Sequence, residues 1–566
     1  MNHRWGPQLL KDGRARFRLW APDRQDARLE IDGLAPLPMT AAGEGWLEAE
    51  ASAVPGTRYR FLIGDQPVPD PASRAQAGGV NGWSVLTDPE AHRWQQDWRG
   101  RPWHEAVILE VHAGLCGGFL ALAEKLPTLA AMGVTALQLM PVAAFGGTRG
   151  WGYDGVLPYA PHESYGTPAE LKALVDRAHS LGLMVLLDVV YNHFGPDGNY
   201  LGLYAAGFQH AEKHTPWGGA VAVDRQQVRR FFIDNALMWL EEYRFDGLRF
   251  DAVHAIDDDR FLDAMAAEIR TRTAGRHVHL VLENEKNDAA RLAPGLYDAQ
   301  WNDDFHNTLH VLLTGEHEGY YGGYAERPTE RLARCLAEGF VYQGEVPPGA
   351  GHPRGTPSGA LMTTSFVAFL QNHDQVGNRA LGERLIRLAD PAKLRAAMAL
   401  LLLGPQIPML FMGEEEGSET PFLFFTDFHN ELADAVREGR RKEFAKFAAF
   451  ADPATRERIP DPNAPSTFEQ SRPAPGDPVW RGLHERLLAV RHAEIVPRLA
   501  GTTGLGAEVI GDGAVLARWR MGDGRTLTIA INLGDAAVGW PELAGDPLWI
   551  EGERGMPGSA IVALAR

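Results

Sequence analysis

The sequence of 566 residues is long enough for several domains, and its 45% hydrophobic and 23% charged residues are typical of an ordered globular protein. A net charge of -18 and a pI of about 5.6 argue against nucleic acids and anionic membranes as partners, because both require basic surfaces. The two cysteines, Cys116 and Cys335, are too few for a disulfide-held scaffold. Together with an N-terminus that lacks an apolar signal segment, they predict free thiols and a cytoplasmic location.

Residues 1–93 alternate short strand-like runs with turn residues. Polar and apolar positions follow a period of two, and Gly and Pro separate the runs. Examples are ARFRLWAP, DARLEI, GWLEAEAS and RYRFLIGD. This pattern predicts a small N-terminal β-sandwich of the carbohydrate-binding kind.

From residue 94 to residue 496, apolar strand-like runs alternate with helical patterns. The eight strand candidates in chain order are AVILEVHAG, VTALQLMPV, LMVLLDVVYNH, FDGLRFDAV, HVHLVLENE, YDAQWN, SFVAFLQNHD and IPMLFMGEE. The helical patterns include LALAEKLPTLAAMG, TPAELKALVDRAHSLG, DRQQVRRFFIDNALMWLEEY and DDDRFLDAMAAEIRTRT. Alternating β and α units indicate a parallel sheet, and eight units favour a closed (β/α)₈ TIM barrel over a doubly wound sheet. The predicted fold class is therefore α/β, with insertions after barrel strands three and six.

The most apolar stretch of the chain, AAMALLLLGPQIPMLFMG, is interrupted by Gly404, Pro405 and Pro408. It predicts a helix, a turn and a buried strand instead of a membrane span. A long loop over 460–478 and the helix VWRGLHERLLAVRHAE then close the barrel. Residues 497–566 return to short strands with a hairpin signal at MGDG, which predicts a C-terminal β-sandwich domain.

Polar side chains cluster where the predicted barrel strands end, and catalytic groups of such barrels lie at the C-terminal ends of the strands. Strands three, four, five and seven end in Asp188, Asn192, His193, Arg249, Asp251, His254, Glu283, His373 and Asp374. Charges inside an apolar sheet are costly unless the strand end opens onto a site that uses them. Four strand ends of this kind predict one shared site.

The residue types in this set suit the transfer or hydrolysis of a glycoside. A retaining mechanism needs a carboxylate nucleophile and a carboxylic acid roughly 5–5.5 Å apart, one of them ionised and the other protonated. Arg249, two residues before Asp251 on the same strand face, would keep that carboxylate ionised. We expect an apolar wall and neighbouring carboxylates to keep Glu283 protonated.

The motifs DVVYNH, GLRFDAVH, LENE and FLQNHD resemble the four conserved segments of the α-amylase superfamily of retaining α-glucan enzymes. The resemblance implies that Asp251 is the nucleophile, that Glu283 is the general acid/base and that Asp374 holds sugar hydroxyls and distorts the ring. It implies further substrate-binding roles for Tyr153, His193, Arg249, His254, Glu285 and His373. His254 takes a position often occupied by Lys, and Ala255 stands where many amylases have a second His. Both positions depart from a plain α-amylase.

A narrower resemblance, to the maltooligosyltrehalose trehalohydrolases, rests on YDAQWNDDFHNTLHVLLTGEHEGYYGGY, LENEKND and IPDPNAPSTFEQS. That family cleaves the α-1,4 bond next to the trehalose end of a maltooligosyltrehalose and releases trehalose. The resemblance implies an α-glucan with a trehalose end as substrate. It also implies that the run Trp301–Tyr324, with Glu285 and Asp288, shapes the subsites that receive trehalose. We expect a monomer without a cofactor.

Two other functions stay open at this point. A branching or debranching enzyme acting at the α-1,6 links of glycogen shares the N-terminal domain, and its products would distinguish it. A glucan-binding protein with an inactive barrel is less favoured. Such proteins usually lack one carboxylate of the triad, and all three are present.

Several other residues have plainer interpretations. Asp188 either contacts substrate or only holds Arg249 and the strand ends. Asn192 matches a calcium-ligand position of many amylases, but its companion oxygen ligands are not identifiable, so no metal is expected. The acidic run GEEEG is expected to form the rim after strand eight. Ordinary surface or helix positions are expected for His179, His210 and His484.

Overall fold

The N-terminal strands form two antiparallel sheets in the computed structural model, which describes residues 5–215, 218–256, 258–445, 448–450 and 452–566. They are β1 (Gln8–Leu9), β2 (Arg14–Trp20), β3 (Arg28–Ile31), β4 (Leu37–Pro38), β5 (Thr40–Gly43), β6 (Trp46–Ser52), β7 (Arg58–Ile63), β8 (Gln66–Val68), β9 (Gln76–Ala77) and β10 (Trp83–Val85). One sheet has the order β1-β2-β6-β5, and the other has the order β4-β3-β7-β10-β9 with β8 paired to β7. The sheets meet where the ring centroids of Phe17 and Tyr59, one from each sheet, lie 4.7 Å apart. This is the predicted β-sandwich.

An aromatic cluster attaches the sandwich to the barrel. The ring of Trp5 lies 4.6 Å from that of Trp46 in the sandwich and 4.8 Å from that of Phe231 in the barrel. Phe208 of the barrel packs against both Trp5 and Trp20. Large aromatic side chains bury much apolar area, so this contact holds the two parts together.

The middle of the chain forms the barrel. Its strands and associated hairpin strands are β11 (Ile108–Val111), β12 (Ala136–Leu139), β13 (Ala143–Phe145), β14 (Gly155–Pro161), β15 (Met184–Val189), β16 (Gln209–Thr215), β17 (Gly218–Val221), β18 (Gly247–Phe250), β19 (His279–Leu282), β20 (Ala299–Trp301), β21 (Phe366–Ala368) and β22 (Ile407–Phe411). The closed barrel has the order β11-β12-β15-β18-β19-β20-β21-β22, with parallel pairing. These are the eight predicted strands in the predicted order, so the TIM barrel is confirmed.

Helices pack around and between these strands. They are α1 (Phe119–Met132), α2 (Pro168–Ser180), α3 (Gln226–Glu241), α4 (Val253–Ile256), α5 (Asp259–Arg272), α6 (Asp303–Thr314), α7 (Gly322–Ala325), α8 (Pro328–Glu338), α9 (His373–Gly377), α10 (Leu385–Leu388), α11 (Pro391–Leu403), α12 (Asn430–Phe444), α13 (Pro453–Arg456), α14 (Pro465–Gln470) and α15 (Pro478–Val490). Helix α2 begins with a reciprocal capping box, in which the Thr167 hydroxyl accepts from Glu170 N and the Glu170 carboxylate accepts from Thr167 N.

Alternate residues of each barrel strand point into the barrel, and this decides where the charged strand ends lie. The lower interior is apolar and includes Ile108, Ala136, Leu186 and Val281. Two residues further along the same strands, the same inward face carries Glu110, Gln138, Asp188 and Glu283. The charged layer therefore lies at the C-terminal end of the barrel, above an apolar floor.

Long excursions leave the barrel after several strands. The hairpin β16–β17 follows the third strand, and α6, α7 and α8 follow the sixth. Helices α12 to α14 follow the eighth strand, and α14 lies within residues 460–478, where the sequence pattern indicated only a loop. Within that loop, Pro465 occupies the first turn of α14, a position that proline favours. We propose the domain boundaries at 93/94 and 496/497, as the sequence rhythm suggests.

The C-terminal residues form an antiparallel sheet with the order β23-β24-β25-β27-β26. Its strands are β23 (Thr503–Gly511), β24 (Ala514–Arg520), β25 (Thr526–Asn532), β26 (Asp546–Glu551) and β27 (Ser559–Ala565). The MGDG turn joins β24 to β25, with Gly524 N bonded to Met521 O at 2.9 Å. Helices of the barrel domain supply the second layer. Trp519 donates to Leu336 O of α8 at 3.0 Å, and Lys393 of α11 pairs with Asp535 at 2.6 Å.

The apolar stretch before the last barrel strand forms α11, a turn and β22, as predicted. Within the described ranges, no helix is both long enough and apolar enough to cross a membrane. Cys116 and Cys335 are free and buried, as expected. His179 and His484 lie in helices and are buried, whereas His210 lies on β16 and is partly exposed.

Candidate active site

The charged residues predicted from the strand ends come together at the C-terminal end of the barrel. Asp188 is the penultimate residue of β15, and Arg249 lies on β18. Asp251 directly follows β18, and Glu283 directly follows β19. Asp374 lies in the first turn of α9, after β21. The parallel register, which pairs Asp188 with Arg249, brings these side chains to one level.

Arg249 lies at the centre of the site, is fully buried and binds three carboxylates. Its Nη1 donates to Asp188 Oδ2 at 2.6 Å and to Asp251 Oδ1 at 2.9 Å. Its Nη2 donates to Glu283 Oε2 at 2.6 Å. The guanidinium carbon lies 4.1 Å from the ring centroid of Trp301, so an aromatic face covers one side of the cation. A planar guanidinium is the one side chain whose fork can bind several carboxylates in this way.

Asp251 and Glu283 are both anchored on this guanidinium, and each has a second donor. The Asn192 amide donates to Asp251 Oδ2 at 2.8 Å. The backbone N of Ala252 donates to Glu283 Oε2 at 2.9 Å. The two carboxylates therefore bind the two terminal nitrogens of one guanidinium and lie on the same side of the barrel mouth.

Ala252 adopts a backbone conformation that an alanine rarely takes. Its φ is 40°, in the left-handed region, where a side chain costs about 1 kcal/mol or more. This turn directs the Ala252 N–H at Glu283 and puts Asp251 at the rim. Backbone strain beside Asp251 and Glu283 is a feature that candidate active sites often show.

Asp188 is fully buried and binds two partners through Oδ2. Besides Arg249, the Tyr153 hydroxyl donates to it at 2.7 Å. Burial raises the pKa of Asp188 to about 7, against the opposing effect of Arg249. Burial likewise raises the pKa of Tyr153 well above its ordinary value. The contacts agree with the structural interpretation, in which Asp188 holds Arg249 and Tyr153 in place.

The other side of the site is built on His373, whose ring is almost completely buried. Its Nδ1 lies 2.7 Å from Glu110 Oε1, and its Nε2 lies 3.4 Å from Asp374 Oδ2. The ring stacks on Tyr153 with 5.0 Å between centroids. Burial, followed by the charge of Glu283 among others, raises the pKa of Asp374, whereas His373 opposes this effect. The Asp374 side chain remains 38% exposed, so it can reach a ligand.

His193 lies behind the Tyr153 loop. Its Nδ1 faces Asn192 Oδ1, and its Nε2 lies 3.0 Å from Tyr153 O. Burial lowers the pKa of His193 to about 4, so the ring is neutral near pH 7. In this geometry the His193 ring bridges Asn192 and the backbone of Tyr153. The ring could contact a sugar only if one of its nitrogens gave up its present partner.

Comparisons with known proteins agree with this fold. The family model for the alpha amylase catalytic domain matches residues 87–212, and a domain of unknown function, DUF3459, matches residues 502–563. The malto-oligosyltrehalose trehalohydrolase of Deinococcus radiodurans is 44% identical over 469 residues, which are 81% of this chain and 76% of that protein. The malto-oligosyltrehalose trehalohydrolase of Rhizobium sp. is 39% identical over 562 residues, which are 93% of this chain and 92% of that protein. The chain belongs to the malto-oligosyltrehalose trehalohydrolase family.

A solved structure supports the fold over the whole length. The crystal structure of a Salmonella typhimurium protein designated an alpha amylase shares 45% sequence identity and a TM-score of 0.95, and the alignment covers 100% of both chains. The barrel, the N-terminal sheets and the C-terminal antiparallel sheet of this trehalohydrolase-family chain are therefore found together in a solved protein.

The rim of the trehalohydrolase-family site carries the remaining predicted residues. Glu285 N lies 3.5 Å from His254 Nδ1, and Glu285 Oε2 lies 3.8 Å from His254 Nε2. The Glu285 side chain is 69% exposed. Asp288 instead caps a short helical turn by accepting from Ala290 N at 3.1 Å. His254 and Glu285 thus form a pair at the edge of the cleft, whereas Asp288 supports the backbone beside it.

The structure adds residues that the sequence reasoning missed. Glu110, at the end of the first strand, is fully buried beneath His373. Asp303, at the start of α6, has its pKa raised to about 8 by burial and then by the charge of Glu283, among others. Tyr320 is 83% exposed on the segment after α6. The signal for Glu110 was available, since it is the one charged residue inside the apolar run AVILEV. Asp303 and Tyr320 lie within the run Trp301–Tyr324 that was assigned to the trehalose subsites, but nothing in the sequence singles out these two residues.

Asn192 matches a calcium-ligand position of many amylases, but its described surroundings are not those of a metal site. Among the described residues, no group of three or more His, Cys, Asp or Glu side chains is placed to hold a metal ion. The Asn192 amide nitrogen is bonded to Asp251, through both its carboxylate and its carbonyl oxygen. The acidic run after β22 forms a turn in which Glu414 accepts from Phe411 N at 3.0 Å, and burial raises the pKa of Glu414 to about 7.

Proposed function

We propose that the protein is a retaining glycoside hydrolase that cleaves the α-1,4 bond next to the trehalose end of a maltooligosyltrehalose. The observation that carries the proposal is the binding of Asp251 and Glu283 to one buried guanidinium at the C-terminal end of the barrel. Membership of the trehalohydrolase family supports the choice of substrate. The substrate is an α-glucan, and we propose more specifically that it carries a trehalose end.

The first chemical step uses the two carboxyl groups on opposite sides of the bond. Glu283 gives its proton to the glycosidic oxygen while Asp251 attacks the anomeric carbon. The bond between that carbon and the oxygen breaks, trehalose leaves as the alcohol, and the maltooligosaccharide stays bound to Asp251 as an ester. Arg249 and Asn192 hold the Asp251 carboxylate in position for this attack.

The second step returns the enzyme to its starting state. The ionised Glu283 takes a proton from a water molecule, whose oxygen attacks the anomeric carbon. The ester bond to Asp251 breaks, and the maltooligosaccharide leaves with the configuration of its anomeric carbon retained. Asp374 and His373, which lie side by side, bind hydroxyls of the glucosyl unit that reacts.

The rim is proposed to recognise the trehalose end. The segment Trp301–Tyr324 begins under Arg249 and leads to the exposed ring of Tyr320. An exposed aromatic ring beside the cleft suits stacking on a sugar face. Arg354, which donates to Tyr324 Oη at 3.0 Å and to Glu285 O at 2.8 Å, ties this segment to the Glu285 side of the cleft.

We also make proposals for the oligomeric state, the location and the partners of the protein. We propose a monomer that works in the cytoplasm, where two buried free thiols stay reduced. The net charge of -18 fits a neutral sugar and argues against nucleic acid as a partner. A branching or debranching enzyme stays the alternative, and a branched substrate would reveal it.

The proposal predicts a strong preference between two substrates of equal length, maltopentaose and maltotriosyltrehalose. We expect rapid release of trehalose from the second and slow cleavage of the first, because the rim binds the trehalose end. Trehalose and reducing sugar are both measured over time. Equal cleavage of both substrates would instead indicate a general α-glucan hydrolase. Cleavage confined to branched glycogen would favour the debranching alternative.

A further inference from the structure

Glu110 is a fully buried carboxylate near the C-terminal end of an otherwise apolar barrel strand. Both of its oxygens bond to His373: Oε2 accepts from the backbone N at 3.1 Å, and Oε1 lies 2.7 Å from ring Nδ1. A buried carboxylate loses several kcal/mol of hydration unless a partner compensates it. The first strand therefore contributes a charge that is matched to His373, the first residue of α9.

This contact decides which way the His373 ring faces. With Nδ1 on Glu110, Nε2 points to Asp374 Oδ2 at 3.4 Å. Acceptors on both ring nitrogens are satisfied together only by the doubly protonated ring. Stacking on Tyr153 and an edge contact with Trp151, at 5.7 Å between centroids, limit rotation of the ring.

We propose that Glu110 is a positioning residue of the reaction, which acts through His373 by fixing its Nε2–H toward Asp374 and the glucosyl unit. The inference deepens the proposed function and rests on it, because the glucosyl unit is bound only if the protein processes an α-glucan. Glu110 lies beneath His373, so it is separate from the groups that would touch the sugar.

The charges around His373 make its protonation depend on Glu110. Burial disfavours the charged ring, but Asp374 and Glu110 outweigh this effect and raise the pKa of His373 to about 9. The other titratable or charged groups that face the ring are Arg249, Asp188, Tyr153 and His112. The charged ring is present below pH 9 and is lost as the pH rises through that value. Without the Glu110 charge, this loss would occur at a lower pH.

The test is the variant Glu110→Gln, which keeps the size of the side chain and removes its charge. We expect kcat for trehalose release from maltotriosyltrehalose to fall about a hundredfold with little change in KM, because the reacting groups are misplaced. The alkaline limb of the kcat profile should move to lower pH. A merely structural role would lower the yield or the melting temperature without moving that limb.

A matched control is Glu242→Gln. Glu242 is also largely buried and pairs with Arg74 at 3.3 Å, but it lies at the end of α3, away from the site. This control should leave the alkaline limb in place. If Glu110→Gln does not fold, Glu110→Asp keeps the charge but shortens its reach, and it should give a smaller loss of kcat with the limb nearly unmoved.

The outcomes separate the inference from the proposed function. If the wild-type protein releases no trehalose, the proposed function is wrong. The pH profiles of the wild type and of Glu110→Gln are then compared on whichever glucan the wild type cleaves. A wild type that releases trehalose, together with a folded Glu110→Gln variant of unchanged kcat and unchanged alkaline limb, overturns the role of Glu110.

Discussion

Replacing Asp251 by Asn should lower kcat for trehalose release by about 10⁴-fold or more while the substrate still binds, since the amide cannot form the ester intermediate. The variant should fold. The oxygen of the new amide can still accept from Arg249 at the position of Oδ1, although its nitrogen then meets the Asn192 amide, donor to donor. That loss costs about 1 kcal/mol, which the fold tolerates.

The measurement combines single-turnover kinetics with calorimetric binding of maltotriosyltrehalose. Asp263→Asn is the control, because Asp263 is an exposed acid on α5 that pairs with Arg291 and does not contact Arg249. The control should keep near-normal kcat. An Asp251→Asn variant that retained near-normal kcat would mean that the nucleophile is another residue.

Replacing Arg249 by Met should destabilise the protein by about 4 kcal/mol and abolish activity. The change leaves three carboxylates without their shared cation, two of them largely buried, and breaking a buried ion pair from one side costs about 3–5 kcal/mol. The side chain of Asp188 is fully buried, so its charge has no access to water in the folded state. Thermal unfolding and kcat of the same preparation provide the test.

The pH dependence gives this prediction a second readout. Without Arg249, the pKa of Asp188 in the folded variant rises further, because burial already raises it and the arginine is the largest influence that opposes this effect. A carboxyl whose pKa is raised on folding favours the fold at low pH and loses that contribution as pH rises. The difference in unfolding free energy between wild type and Arg249→Met should therefore be smaller at pH 5 than at pH 8.

The control for Arg249 comes from a second arginine with three acidic partners. Arg291 pairs with Asp259, Asp263 and Asp288, whose side chains are 81%, 51% and 33% exposed. Because these carboxylates can return to water, Arg291→Met should cost only about 1 kcal/mol. Equal destabilisation by the two substitutions would contradict the view that burial of the carboxylates makes Arg249 indispensable.

The sequence was sufficient to predict the barrel and much of the site, for a physical reason. Each barrel strand is an apolar run, and a parallel barrel brings all strand ends to one face. Asp251 and Glu283 could therefore be placed together from two separate stretches of sequence. Arg249 could be assigned to Asp251 because residues two apart on a strand share a face.

Other features depend on contacts between distant parts of the chain. Glu110 lies on the first barrel strand and His373 at the start of α9, after the seventh strand, and neither stretch of sequence indicates their pairing. Trp301 under Arg249 is likewise a contact across the barrel. The left-handed φ of Ala252 was not predictable either, since alanine rarely adopts it and the local sequence gives no sign of it. Helix α12 is largely polar, so it lacked the apolar signal that identified the barrel helices.

The most direct test of the mechanism is to trap the glycosyl intermediate on the Glu283→Gln variant. α-Maltotriosyl fluoride carries its own leaving group, so the first step proceeds without an acid, whereas hydrolysis of the ester still needs Glu283 as a base. Peptide mass spectrometry after rapid quenching should show one maltotriosyl unit on the peptide that contains Asp251. Consumption of the fluoride with no adduct, or with the adduct on another carboxylate, would contradict the assignment of Asp251 and Glu283.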